Sequence, residues 1–371
     1  MARSRHLAIV HVDTGLSLRG GQHQLLMLAR ALSARGHRQL IACAENSPLA
    51  FRARAQGFGL FPLPGHDLGH LHGALLLRAE LKDFRRDILH AHDGVGQTVA
   101  WLASAGGKAK RVATRRVTFV PSRRLDYRLK YTYTADAVIA VSEFVRRLVI
   151  ESGVPAAKVE MIPDGAEIPS ALPGQETRQR VRAPWGFSEA DFVMGHVGAF
   201  TPEKGQDIAV EAFFEVAAKI PEARLVLAGE GHECAGRRLG PKAADARIRM
   251  LGQPENLADF FAALDLYLMP SRSEGLGSSA LLAMAHGLPV VAARAGGLPE
   301  LVEEGRTGWL AERDSPPRLA AAIAEAASDP ARLRAFGQNA RRRAEDFSTD
   351  KMAERTEALY YRLLGEGTAP L

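Results

Sequence analysis

Residues 266–293 read LYLMPSRSEGLGSSALLAMAHGLPVVAA. A short apolar run, LYLMPS, leads into the glycine- and serine-rich loop RSEGLGSS. Then SSALLAMAHG follows with helical apolar spacing, and PVVAA is a second apolar run. Strand, loop, helix and strand in that order make a βαβ unit, which builds a parallel sheet. The loop opens the helix, so its free backbone N–H groups and the positive end of the helix dipole suit a phosphate.

The same alternation extends to both sides. Upstream, FVMGHVGAF reads as a strand, DIAVEAFFEVAAKI as a helix, ARLVLAGEG and IRMLG as strands, and LADFFAALD as a helix. The segment GHVGAFTPEKGQD is again strand, loop and helix, with Lys204 near the end of the loop as a point charge for phosphate. Residues 165–187, GAEIPSALPGQETRQRVRAPWGF, hold several Pro and Gly with no clean period and read as a linker.

Before that linker lies a second alternation. Its strands are HLAIVHV, QLIACA, DILHAH, KRVATR, AVIAVS and VEMIPDG. QHQLLMLARALSARG is the first helix and closes on Gly36, a natural C-terminal stop. DTGLSLRGGQHQ is a strand-to-helix loop in which Gly20 and Gly21 let the backbone approach a ligand closely. The expected architecture is α/β, two Rossmann-like domains joined by a linker. Their parallel sheets are expected to face a cleft, with ligands beyond the carboxyl ends of the strands.

At 371 residues and 46% apolar the chain suits two domains with real cores. Cys43 and Cys234 stand far apart without CxxC spacing, which argues against a disulfide framework or zinc site and fits a reducing cytosol. MARSRHLAIVHV reads as a first strand running into Asp13, not as a signal peptide, and no long uncharged apolar run suits a membrane span. The net charge of +6 is uneven. Residues 1–165 carry 24 Lys/Arg against 13 Asp/Glu, a net of +11, while the remainder is net negative. That imbalance suggests an anionic partner for the first half, the alternative being ordinary surface variation.

Taken together, RGGQHQLLMLARALSARGH, ADAVIAVSEFVRRLVIESGVPAAKVEMIPDGAE, GHVGAFTPEKGQD, ARLVLAGEGHE and MPSRSEGLGSSALLAMAHGLPVVAARAGGLPELVEEGRTGWL resemble the retaining GT-B glycosyltransferases of family 4 in order and spacing. The resemblance covers nearly the whole chain. It implies metal-independent transfer of a sugar from a nucleotide-diphosphate donor with retained configuration, and no cofactor beyond that substrate. It also implies that the final helix, about 351–365, packs back on an N-terminal acceptor domain of residues 1–165, and that residues 166–350 form the donor domain.

On the same resemblance Lys204 matches the phosphate-binding lysine, and Glu274 matches the first Glu of a paired-Glu motif that binds donor-sugar hydroxyls. Gly275, Leu276 and Gly277 would offer backbone amides, with Ser278 and Ser279 opening the helix behind them. His92 matches a histidine near the donor sugar; a lone packed histidine is the plainer alternative. Asp93 beside it is a candidate to orient the acceptor, and Glu230 to approach the nucleotide. Two positions depart from the family pattern. Ala199 stands where an Arg usually follows the loop glycine, and Leu282 stands where a second Glu usually grips the ribose. Leu cannot accept those hydrogen bonds.

Residues 108–130, KAKRVATRRVTFVPSRRLDYRLK, hold nine basic residues and one acid, with Phe119 and Tyr127 interleaved. Such a stretch suits peripheral contact with an anionic membrane. Alternatively, Arg115 and Arg116 hold an acceptor phosphate, or the stretch is a solvated surface. No nucleic-acid motif accompanies it, so nucleic acid ranks last among its partners. The expectation is a cytoplasmic enzyme, peripheral on the membrane face, acting on a cell-envelope polysaccharide, lipopolysaccharide or lipid-linked acceptor. The alternative is a catalytically inactive glycosyltransferase-like binding subunit. A nicotinamide oxidoreductase is disfavoured, because HVDTGLSLRGG lacks G-x-G-x-x-G spacing.

Overall fold

A computed structural model describes residues 5–64, 67–82, 85–119 and 124–366. The chain divides into two compact units, Met1–Gly165 with Thr349–Leu371, and Ala166–Ser348.

The first unit starts with β1 (Ala8–Asp13), α1 (Gly20–Ala34), β2 (Arg38–Ala44), α2 (Pro48–Ala55) and β3 (Gly59–Leu63). It continues with α3 (Asp67–Glu80), β4 (Ile88–Ala91), α4 (Gly94–Ser104), β5 (Lys110–Arg115) and α5 (Arg124–Thr134). Then come β6 (Ala137–Ala140), α6 (Glu143–Glu151) and β7 (Val159–Met161). Its seven strands are all parallel, in the order β3-β2-β1-β4-β5-β6-β7.

The second unit runs α7 (Gln175–Arg182), β8 (Phe192–Val197), α8 (Gln206–Ala217), β9 (Ala223–Ala228), α9 (Ala235–Leu239), β10 (Ile248–Leu251) and α10 (Leu257–Ala262). It goes on through β11 (Leu266–Met269), α11 (Ser278–Ala285), β12 (Val290–Ala293), α12 (Leu298–Leu301), β13 (Gly308–Ala311), α13 (Pro316–Ser328) and α14 (Pro330–Ala344). Its six parallel strands are ordered β10-β9-β8-β11-β12-β13. The last helix, α15 (Thr349–Leu363), belongs to the first unit.

Parallel strands are covered on both faces and therefore read as continuous apolar runs. β1, β4, β6, β11 and β12 are buried throughout. Leu7, Ile9, Leu28, Leu32 and Ile139 pack with Met352, Ala353, Leu359 and Tyr360 of α15 in one core of the first unit. Phe213, Leu225, Leu268 and Ile323 lie in the core of the second.

The division between the units falls at Gly165, at the start of the expected linker, but the segment is not irregular throughout, because α7 forms inside it. That helix lacks an apolar stripe and is anchored instead by Arg182, which is buried. Its Nε donates to the Ala263 carbonyl at 2.8 Å, and its Nη1 to the carbonyls of Ser188 and Asp191 at 2.9 and 3.0 Å. Its Nη2 donates to Asp265 Oδ2 at 2.7 Å. A hydrogen-bonded buried guanidinium does the work of an apolar face.

In each sheet the chain leaves a central strand in one direction and returns to build in the other. The reversal falls between β1 and β4 in one unit and between β8 and β11 in the other. Side chains just beyond the carboxyl ends of these strand pairs are where open α/β sheets bind ligands.

Candidate functional site

In the second unit β8 ends at Val197 and β11 at Met269, and the loops that follow them abut. Gly205 has φ +69°, and a Cβ there would lie 2.2 Å from the Pro270 carbonyl oxygen, so only glycine fits. Gln206 Nε2 donates to the carbonyls of Gly198 and Ala199 at 3.3 and 2.9 Å and fixes the first loop. At its tip, the Lys204 ammonium donates to Glu274 Oε1 at 2.6 Å, and Ser271 Oγ donates to the same oxygen at 2.9 Å. Glu274 is buried, while Lys204 is partly exposed.

The second loop is held just as closely. The Glu274 carbonyl accepts from the Gly297 amide at 3.1 Å, and a Cβ on Gly296 would fall 1.9 Å from that carbonyl oxygen. Gly277 has φ +102° and precedes α11, and no side chain caps the helix there. Gly275 and Leu276 are buried, and Ser278 and Ser279 are half-buried. Leu276 turns its side chain inward, leaving only its backbone to offer. Leu282, four residues along α11 from Ser278, is half-buried rather than in the core, with Leu281 and Ala283 fully buried on either side. Glu230 is exposed, and its carbonyl accepts from Phe200 N at 2.8 Å. Arg238 Nη1 donates to the Phe200 carbonyl at 2.6 Å, which puts a guanidinium beside the loop that carries Ala199.

Ser271, Gln206 and His196 join the site without a motif that marks them. His196 is buried, its Nδ1–H donates to the Leu268 carbonyl at 2.9 Å, and burial holds its pKa down to about 4. Its Nε2 has no partner among the described residues, and a Cβ on Gly198 would stand 3.0 Å from it. In the sequence His196 stands out only as a polar residue inside a central buried strand, FVMGHV.

In the first unit His92 follows β4 and is buried. Its Nε2 lies 2.9 Å from His11 Nδ1, and His11 Nε2 lies 2.7 Å from Gln39 Oε1. Gln39 Oε1 can only accept, so His11 carries its proton on Nε2 and His92 donates from Nε2. That leaves the His92 Nδ1 lone pair facing Arg116 Nη1 at 3.4 Å. Arg116 Nε in turn donates to Asp164 Oδ1 at 2.9 Å. His90 sits between the Tyr360 hydroxyl and Thr114 Oγ1, at 2.6 Å from each. Burial is the main cause that drops the pKa of His90 and His92 well below the ordinary histidine value, and it lowers His11 to about 4. His11, His90 and His92 each bring a possible ligand nitrogen within 4.8 Å of the others. These rings already bond Tyr360, Thr114, Gln39 and one another, and the adjacent Arg116 charge disfavours a cation.

The remaining candidates of this unit take distinct places. Asp93 caps α4: Oδ1 accepts from the Val95 and Gly96 amides at 2.8 Å each and from Thr14 Oγ1 at 2.9 Å. Its Oδ2 accepts from Thr14 N at 2.6 Å. Arg115 is buried, bonded to the Phe119 carbonyl, with its guanidinium 4.9 Å from the Phe119 ring centroid and 5.3 Å from that of Tyr127. Gly20 and Gly21 open α1, and a Cβ on Gly21 would lie 3.8 Å from Arg116 Cδ. The structure thus gathers Gly21, His92 and Arg116, and separately Lys204, Glu274 and the start of α11.

Residues 18–168 match the family described as Glycosyltransferase Family 4, and residues 177–343 match Glycosyl transferases group 1. The D-inositol 3-phosphate glycosyltransferase of Segniliparus rotundus is 30% identical over 314 residues, 78% of this chain and 69% of that protein. The N-acetyl-alpha-D-glucosaminyl L-malate synthase of Bacillus anthracis is 27% identical over 318 residues, covering 83% of this chain and 82% of that protein. An Anabaena protein crystallised with UDP and glucose superposes with a TM-score of 0.86 at 21% identity, over 96% of this chain and 100% of that one. Its likeness extends the GT-B fold, two Rossmann-like units, to this chain. With both halves matched and a relative of 30% identity covered over two thirds of its length, the chain is a glycosyltransferase whose first half belongs to Glycosyltransferase Family 4 and whose second half belongs to Glycosyl transferases group 1.

Proposed function

We propose that the chain moves a sugar from a nucleotide-diphosphate donor to a cell-envelope polysaccharide, lipopolysaccharide or lipid-linked acceptor, with retention and without a metal. The observation that carries this reading is the Lys204–Glu274 pair at the reversal point of the second sheet, beside the side-chain-uncapped start of α11. A partly exposed ammonium and the amides at a helix start suit a diphosphate, and a buried carboxylate suits sugar hydroxyls.

On donor arrival the phosphate takes the place of Glu274 on Lys204, and Glu274 turns to the sugar. As the bond to the leaving diphosphate breaks, Lys204 and the amides at the start of α11, Ser278 and Ser279, stabilise the developing charge. Arg238, on α9, supplies a second cation beside the loop where Ala199 offers none. Glu230 approaches the nucleotide. In the first unit, His92, through its neutral ring, and the glycines Gly20 and Gly21 are assigned to sugar recognition. Asp93 holds the loop that meets the acceptor. Arg116, with Arg115 behind it, draws in an anionic acceptor.

Support comes from the relatives. The Anabaena protein was crystallised with UDP and glucose, and the names of the other two contain D-inositol 3-phosphate and L-malate, both anions. Leu282 and Ala199 favour a second reading, a glycosyltransferase-like subunit that binds without catalysis. A thermal-shift series with UDP-, GDP- and ADP-sugars tests the donor assignment. A ligand at about a hundred times its Kd stabilises the fold by roughly 2.7 kcal/mol. One base is expected to raise the melting temperature, and a flat response to all three would remove the donor assignment.

A further inference from the structure

β8 and β11 flank the reversal point of the second sheet, and they pair through Met194 with Leu266 and Gly195 with Tyr267. Beyond Gly195 that ladder ends, and the His196 ring bonds across to the neighbouring strand instead. Its Nδ1–H donates to the Leu268 carbonyl at 2.9 Å. A carbonyl only accepts, so the neutral ring keeps its lone pair on Nε2. Burial holds the ring neutral, and the Lys204 charge acts on it in the same sense. The residue is fully buried, and Nε2 has no partner among the described residues.

A buried acceptor without a donor is costly, so Nε2 calls for an N–H or O–H. Gly198 shows where one is at hand. A Cβ there would stand 3.0 Å from His196 Nε2 and 3.6 Å from Lys204 Cδ. The ring nitrogen and the lysine stem therefore border the same small space, which stays open because residue 198 has no side chain. Lys204 ends in an ammonium with three N–H donors. Among the described residues its hydrogen-bond partner is Glu274 Oε1, at 2.6 Å.

The acceptors that Lys204 needs change in the course of the proposed reaction. Once Glu274 turns to the sugar, phosphate alone would hold the ammonium, and a flexible four-carbon stem leaves a point charge poorly placed. A second carboxylate would fix it but would also neutralise the charge meant for the diphosphate. An imidazole lone pair fixes the ammonium and leaves its charge available, as preorganised electrostatic stabilisation requires.

We propose that His196 is a positioning residue for Lys204: its Nε2 lone pair accepts an ammonium hydrogen and holds Lys204 toward the diphosphate while Glu274 serves the sugar. This deepens the functional reading above and rests on its assignment of Lys204 to phosphate.

Donor affinity measured by calorimetric titration tests it, the probe being whichever of UDP-, GDP- and ADP-glucose most raises the melting temperature. His196→Phe keeps a ring and removes the lone pair, and it is expected to weaken binding about tenfold, as loss of a hydrogen bond to a charged group does. His196→Gln restores an amide oxygen to accept and an amide N–H for the Leu268 carbonyl, and is expected to bind within about threefold of wild type. A packing defect would weaken binding whatever stands at position 204, so the decisive comparison is a double-mutant cycle. Lys204→Ala alone is expected to weaken binding about tenfold or more, and adding His196→Phe to it is expected to change affinity by less than about twofold. If His196→Phe does not fold, as its melting curve will show, His196→Leu takes its place in the cycle.

Wild-type affinity in the folded His196→Phe protein would overturn the proposal and leave Nε2 to a buried water. A loss of equal size with and without Lys204 would overturn it too, by making His196 a packing residue. In both cases the Lys204 assignment stands. Wild-type affinity in Lys204→Ala is the separate failure, which removes the phosphate assignment and this proposal with it.

Discussion

The Lys204 ammonium donates to Glu274 Oε1 at 2.6 Å across two loops that leave neighbouring strands, and Ser271 Oγ shares that oxygen at 2.9 Å. The two groups expected to divide a donor between phosphate and sugar are therefore paired with each other.

Lys204→Ala is expected to cut transferase activity at least about tenfold, the equivalent of ~1.4 kcal/mol in barrier. It also leaves the buried Glu274 carboxylate with Ser271 as its side-chain donor, which destabilises the fold. Adding Glu274→Gln is expected to recover part of the melting temperature but none of the turnover. Activity within about twofold of wild type in Lys204→Ala would remove the phosphate role.

Glu274→Gln alone is expected to lower kcat by tenfold or more while free nucleotide diphosphate binds within about twofold of wild type. The carboxylate is assigned to sugar hydroxyls, and the nucleotide to Lys204 and backbone. Calorimetric titration beside steady-state kinetics checks the split, and an equal loss of nucleotide affinity contradicts it.

Much of the fold lies open in the sequence where strands are central, because burial on both faces leaves continuous apolar runs such as AIVHVD. What escapes is at the margins. β3 and β13 both lie at sheet edges, and neither reads clearly as a strand. β3 carries Gly59 and Pro62, which an edge tolerates, and β13 is four residues long. α7 escapes because a buried Arg182 holds it. In the site, Lys204 and Glu274 are legible from their loops. The chain from Gln39 through His11 to His92 is not, because it exists only through the register that sets β1 between β2 and β4 and pairs His11 with His90.

That buried histidine cluster makes stability depend on pH. Burial lowers His11 and His196 to about 4 and takes His90 and His92 well below their ordinary 6.5. Below about pH 6.5 the unfolded chain binds protons that the native chain does not, so stability falls as pH drops from there toward 4. Asp13, pushed up to about 6 chiefly by burial and next by Asp93, acts in the opposite sense between 3.8 and 6 and offsets part of the effect. The melting temperature is expected to decline from about pH 7 to about pH 5, and a flat or rising profile would contradict this account.

Leu282→Glu probes the position where the family usually has its ribose-binding carboxylate. The side chain is half-buried on α11, so a carboxylate can reach water and the protein is expected to fold. A hydrogen bond to a charged acceptor contributes about 1.5–3 kcal/mol, so donor affinity should tighten roughly ten- to hundredfold. A folded variant with unchanged affinity refutes the ribose placement.

Release of nucleoside diphosphate from the nucleotide sugar that most raises the melting temperature tests the central claim most directly, with wild type and Lys204→Ala run side by side. The account predicts steady release by wild type, accelerated by the cognate acceptor, and at least about tenfold slower release by Lys204→Ala. Tight donor binding with no release by wild type, with or without a lipid-linked acceptor, would contradict it and leave a binding subunit in its place.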